Sequence, residues 1–180
     1  MERLSPTAYV ILGMLGLGMR TGYDIKASVD RSTRFFWAVS YGQIYPELRR
    51  LEAARLIEGK SSPTGARQRR EYSLTEAGRT ELLRWLELPP KRAELRDESL
   101  LKLFFADLLA VEQAIEQLRW RRLDQEGFLA FLRQVAAQSD AISPPFVDLV
   151  LRYGIAYAEF NVAWCEEQEA SLGKGVGEAA

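Results

Sequence analysis

The stretch SYGQIYPELRRLE, Ser40 to Glu52, decides how this chain is read. Its apolar spacing is that of a helix, yet it carries Gly42 and Pro46, and both residue types weaken helices. Three answers are open: a strained core helix, the wall of a small-molecule pocket, or a helix that something bulky must approach closely. At 100° per residue, Ile44, Leu48 and Leu51 fall within about 60° of one another and mark a buried face. Gly42, Pro46 and Arg49 lie roughly opposite, flanked by Gln43, Tyr45 and Arg50. The helix breakers therefore sit on the outer face, beside arginines and an amide. They offer little apolar enclosure for a pocket. A solvated face with an incidental kink is the bland alternative.

A helix that enters a DNA major groove brings such a face against base edges and phosphates. Small Gly42 and the compact Pro46 ring let the backbone come close, and Pro46 offers apolar surface to a thymine methyl. Gln43 can pair with an adenine edge, Arg49 can reach phosphate or guanine, and Tyr41 or Tyr45 can bond phosphate. Ser40, with Gln43 three positions on, predicts the capping box that opens this helix, to about Ala54.

The flanking sequence completes a unit. Ser5 followed by Pro6 predicts a helix to about Leu17, and Thr21 with Asp24 a second to about Ser32. Downstream, 56–60 and 70–74 are short strands around the turn-rich SSPTGARQR, which predicts a hairpin. Lys60, Arg67, Arg69 and Arg70 are basic, and no acid interrupts 60–70. Three helices and a basic hairpin form a winged helix-turn-helix, with the arginines laid along the flanking phosphates. A merely soluble loop is the alternative for that charge run. Thr75 caps a fourth helix, and LPP at Leu88–Pro90 ends an N-terminal domain of residues 1–88.

Composition narrows the function. With 180 residues, 47% hydrophobic and 27% charged, the chain is that of an ordinary globular protein. It has no histidine, which removes His-based triads and HExxH zinc sites. Its one cysteine, Cys165, is expected to be a small hydrophobe in a packed helix, an intermolecular disulfide or a redox sensor being the alternatives. Neither a phosphate loop nor a dinucleotide fingerprint is present. No catalytic residue, metal or cofactor is expected. Neither a secretory signal nor a membrane span is seen, which predicts a cytoplasmic protein. Net charge is only −1. It is unevenly placed: residues 1–88 carry 14 Lys+Arg against 10 Asp+Glu, and residues 89–180 carry 10 against 15. A polyanion-binding first half on an acidic second half fits that asymmetry.

The second half, 89–172, reads as helical, with a flexible tail at 173–180. A short segment near Asp97–Leu109 precedes a helix from about Val111 to Ser139. SPP at Ser143–Pro145 breaks the chain before a last helix to about Glu169. That helix is apolar except for a narrow stripe of Asp148, Arg152 and Glu159, so it needs burial on more than one side. We expect a homodimer interface of Phe146, Val150, Tyr153, Tyr157, Phe160 and Trp164. The alternative is the centre of a monomeric helical domain. Asn161 either fixes register or bonds a neighbour. A two-fold dimer predicts a pseudo-palindromic target in double-stranded DNA, with half-sites ~10 bp apart or a multiple of that. If a small effector binds, Trp37 and Tyr153 are the expected contacts, although aromatic residues at such positions are more often core.

The chain also resembles a known family over nearly its whole length. SPTAYVILGMLGLGMRTGYDIK, FFWAVSYGQIYPELRRLEAARLIEG, REYSLTEAGRTELLRWL and RDESLLKLFFADLL are similar to the PadR family of bacterial transcriptional regulators. The resemblance implies a mainly helical fold with a small β-hairpin: an N-terminal winged helix-turn-helix and a C-terminal helical dimerisation domain, of the long C-terminal branch. It also implies repression, often relieved by a small effector. One departure is EAARLI, where such proteins commonly have glycine at the position of Arg55. A winged-helix protein-interaction module without sequence-specific DNA binding is the alternative function.

Overall fold

The computed structural model describes residues 4–62, 69–92, 94–138 and 144–178. The elements run α1 (Pro6–Gly16), α2 (Gly22–Arg31), α3 (Tyr41–Ala53), β1 (Ile57–Ser62), β2 (Arg69–Leu74), α4 (Glu76–Glu87), α5 (Glu98–Phe104), a 3₁₀ turn (Ala106–Leu108), α6 (Val111–Gln138) and α7 (Pro145–Glu178). They form two compact units, Met1–Arg92 and Ala93–Ala180.

In the first unit, α1 is apolar on nearly every side and packs against α2, α3, α4 and β2. Ile11, Leu12, Ile25, Ile44, Leu48 and Ile57 close the core, each at most 1% exposed. Polar groups fix the register. Ser5 Oγ accepts from the Ala8 amide at 3.1 Å and donates to the buried Glu47 at 2.9 Å, tying the start of α1 to α3. Tyr9 stacks on Trp85 at 4.5 Å and donates to Glu81 at 2.9 Å. The Arg84 guanidinium beside Glu81 lowers that carboxyl's pKa, against the upward push of burial.

The hairpin is antiparallel, pairing Ile57 with Leu74 and Ser62 with Arg69. Its tip, which includes Arg67, lies outside the described residues, as does the side chain of Arg69. Between α3 and β1, Arg55 has φ 57°, the left-handed conformation that favours glycine. The amide of Leu56 bonds back to the Leu51 carbonyl at 3.0 Å and that of Arg55 to Glu52 at 2.9 Å. This is a Schellman end, and it forces the sharp turn from α3 into β1.

In the second unit, α6 and α7 pack along their lengths. The inward line of α7 is Gly154, Ala158, Asn161 and Cys165, all buried, with spacings of four, three and four that match a coiled-coil seam. Cys165 is fully buried, and that burial pushes its thiol up. Asn161 takes the neighbour-bonding alternative: it accepts from Arg121 at 2.7 Å and donates to the Tyr157 carbonyl at 2.8 Å. Arg121, only 6% exposed, also pairs with Asp97 at 2.7 Å. Burial pushes the Asp97 carboxyl up, but hydrogen bonds from Ser99, Arg121 and the Leu100 amide outweigh it and hold the group at about 2. The last helix runs further than its sequence indicates. It continues to Glu178 through the glycines of the expected tail, because extending a formed helix avoids the cost of nucleating one.

Candidate nucleic-acid interface

α2 and α3 make a helix-turn-helix whose local caps are set by sequence. Thr21 Oγ1 accepts from the Asp24 amide while Asp24 accepts from the Thr21 amide, both at 3.1 Å. The helices cross closely at Gly22, where a Cβ would lie 2.9 Å from the Tyr45 ring. At the head of α3 the Gln43 carbonyl oxygen accepts from the Ser40 amide at 2.9 Å and from the Ser40 hydroxyl at 3.1 Å. Gln43 thus caps its own helix, which leaves its amide nitrogen for contacts outside the chain. A full two-bond pairing with adenine would require it to leave the cap.

The outer face of α3 is open. Ser40, Tyr41, Gly42, Gln43, Tyr45 and Arg49 are exposed and Pro46 is half-buried, while Ile44, Leu48 and Leu51 are sealed. Gly42 is the informative residue. A Cβ there would meet nothing closer than the Ser40 hydroxyl at 3.7 Å, and its φ is not in the left-handed region. Neither packing nor backbone conformation inside the chain calls for glycine at this position. Pro46, four residues on, has no N–H to give the Gly42 carbonyl. One turn of α3 therefore presents bare backbone, small in profile, with a carbonyl that lacks its usual donor four residues on.

Around it stand the charged and phenolic groups. The Tyr41 and Tyr45 rings stack at 6.1 Å, and the Lys26 ammonium lies 5.6 Å from the Tyr41 centroid. Lys26 was not among the sequence candidates, because its place beside Tyr41 depends on how α2 crosses α3. Arg49 has no ion-pair partner among the described residues. Arg50 pairs with Glu47 at 3.2 Å.

On the hairpin, Lys60 is exposed, whereas Arg70 is turned onto Glu52 of α3 and stands 5.9 Å from the Tyr72 ring centroid. Arg70, a sequence candidate for phosphate contact, is thus paired within the chain. The strand register brings it within reach of a carboxylate that the linear charge run does not reveal. Such a face offers hydrogen-bond donors, cations and close backbone approach, which is the chemistry that meets phosphates and base edges.

The other sequence candidates lie on other elements. On α7, Phe146, Val150, Tyr153, Tyr157 and Phe160 are exposed and Trp164 is half-buried. Their spacings of four, three, four, three and four trace a second coiled-coil seam. Trp37, before α3, and Tyr153 belong to different units, and each is exposed. Between α5 and α6 runs a groove of about 270 Å³ lined by Glu98, Lys102, Trp120 and Asp124 among others. It carries both signs of charge and is smaller than the ~300 Å³ at which ligand pockets commonly begin. Among the described residues no cluster of three or more acidic or cysteine side chains is placed to hold a metal.

Comparison with known proteins places both halves. Residues 11–84 match the transcriptional regulator PadR-like family, and residues 95–173 match the virulence activator alpha C-terminal region. The chain is 31% identical to the negative transcriptional regulator PadR of Bacillus subtilis, over 92% of this chain and 97% of that protein. A crystal structure of Bacillus subtilis PadR in complex with operator DNA matches with TM-score 0.83 at 29% identity, covering 92% of this chain and 98% of that one. The same protein in complex with p-coumaric acid matches with TM-score 0.76 at 27% identity, covering 94% and 98%.

Proposed function

Because the chain belongs to the PadR-like family of transcriptional regulators, we propose that it is a dimeric, sequence-specific DNA-binding repressor released by a small effector. The observation that carries this reading is the outer face of α3, with Gly42 open to solvent beside Tyr41, Tyr45, Pro46 and Arg49. Ser40 and Gln43 order the head of that helix, and Lys60, Arg67 and Arg69 extend the cationic surface along the hairpin. The PadR relative bound to operator DNA supports the same use of the fold.

The second unit supplies the dimer. The seam of Phe146, Val150, Tyr153, Tyr157, Phe160 and Trp164 has coiled-coil spacing and no partner helix of its own, and a second copy would cover it. Two reading heads then meet a pseudo-palindrome. Since the relative binds p-coumaric acid, aromatic acids are the first effector chemistry to test, with Trp37 and Tyr153 as candidate contacts. The protein acts in the cytoplasm, as a regulator and not as an enzyme; no described helix is long and apolar enough to cross a membrane.

A gel-shift titration on DNA upstream of its own gene, with a salt series and a panel of phenolic and drug-like ligands, tests the reading. A shift that weakens steeply with salt and is released by one ligand class is expected. Salt-independent or absent binding to that DNA would favour the protein-interaction alternative.

A further inference from the structure

Resting on the reading that α3 meets DNA, we propose that Glu52 is a specificity-determining residue: it holds Arg70 inside the chain and keeps it from adding a sequence-independent phosphate contact. Three elements converge on this one carboxylate. Glu52 closes the last turn of α3, and its Oε1 accepts from the Gly59 amide of β1 at 3.1 Å and from the Arg70 guanidinium of β2. A Cβ at residue 59 would lie 2.6 Å from both Glu52 Oε1 and Arg70 Nε, so the pair in its present geometry uses the space this strand glycine leaves.

The pair is not explained by stability. The side chains of Arg70 and Glu52 are 47% and 29% exposed, and ion pairs at such sites contribute at most about 1 kcal/mol. Its place matters more. Glu52 falls on the same flank of α3 as Tyr45 and Arg49, seven and three residues before it. A bare carboxylate there would repel phosphate. Paired, it is neutralised, and it withdraws one cation from the charges that would otherwise bind any duplex equally well. Discrimination then rests more on the groups of α3 that face the groove.

The test uses the full-length protein and a 30-bp mixed-sequence duplex, with affinity read by fluorescence anisotropy between 50 and 200 mM NaCl. Glu52→Gln keeps a carbonyl acceptor for Gly59 and frees Arg70. It should tighten non-specific binding about three- to tenfold at low salt and steepen the log–log salt slope by about 0.9, the increment for one phosphate. Glu58→Gln, the same charge change on an exposed β1 residue, should leave the slope near that of the wild type. The charge-conserving double variant, Glu52→Gln with Arg70→Gln, should also match the wild-type slope. A double variant flatter by about 0.9 would show that Arg70 already contacts phosphate, and would overturn the proposal. So would Glu52→Gln with an unchanged slope. If the Glu52 variants lose their fold by circular dichroism, Arg70→Gln alone decides, a flattening of about 0.9 or more counting against the proposal. A wild-type chain that binds no duplex at any salt would instead overturn the DNA reading itself.

Discussion

The two units distribute polarity in opposite ways. The first seals the aliphatic stripe of α3 and shows on its other face small, phenolic and cationic groups. The second puts Arg121, Asp97 and Asn161 at its centre and leaves an aromatic seam outside. A surface of the first kind suits a charged, hydrated polymer, and one of the second kind suits another apolar helix. The division of labour we propose, one unit for DNA and one for a second copy, rests on where each leaves its chemistry unpaired.

The largest effect is expected where the second unit buries charge. Arg121→Ala leaves Asp97 and Asn161 without their shared donor and should lower stability by about 3 kcal/mol in denaturant titration. Arg50→Ala in the first unit removes a pair whose arginine is largely exposed, and should change stability by less than about 1 kcal/mol. Equal losses would erase the contrast. The pH dependence sharpens it. The folded Asp97 carboxyl lies at about 2 against an ordinary 3.8. Its contribution is therefore complete above about pH 4 and is lost as pH falls through about 2. Arg121→Ala should shrink that part of the acid unfolding profile without abolishing it, because the bonds from Ser99 and the Leu100 amide to Asp97 remain.

Next in size is the seam. Phe160→Glu places a charge among aromatic residues and should raise the dimer dissociation constant at least thirtyfold, about 2 kcal/mol, in sedimentation equilibrium. The monomer's fold should persist, since Phe160 is 66% exposed within the chain. An unchanged assembly would place the subunit contact elsewhere.

Much of this was legible in the sequence because it is local. The caps at Thr21 and Ser40 are read from residues three positions on, that at Ser5 from the proline after it, and the sealed stripe of α3 from helical period alone. The left-handed Arg55 was legible only through family resemblance. What escaped depends on long-range geometry. The hold of Glu52 on Arg70 spans 18 residues and is set by strand register. The node of Asp97, Arg121 and Asn161 joins the N-cap of α5 to α6 and α7. The length of α7 was missed because its glycines suggest a break, while an established helix carries through them.

The smallest expected change in stability accompanies the most direct test of the central claim, that the outer face of α3 reads a duplex. Gly42→Leu adds bulk where the chain has open space, so thermal stability should hold or rise, by up to about 1 kcal/mol. Affinity for the target DNA should fall at least tenfold in anisotropy titration while the dimer stays intact. Undiminished affinity in the folded dimeric variant would contradict the account.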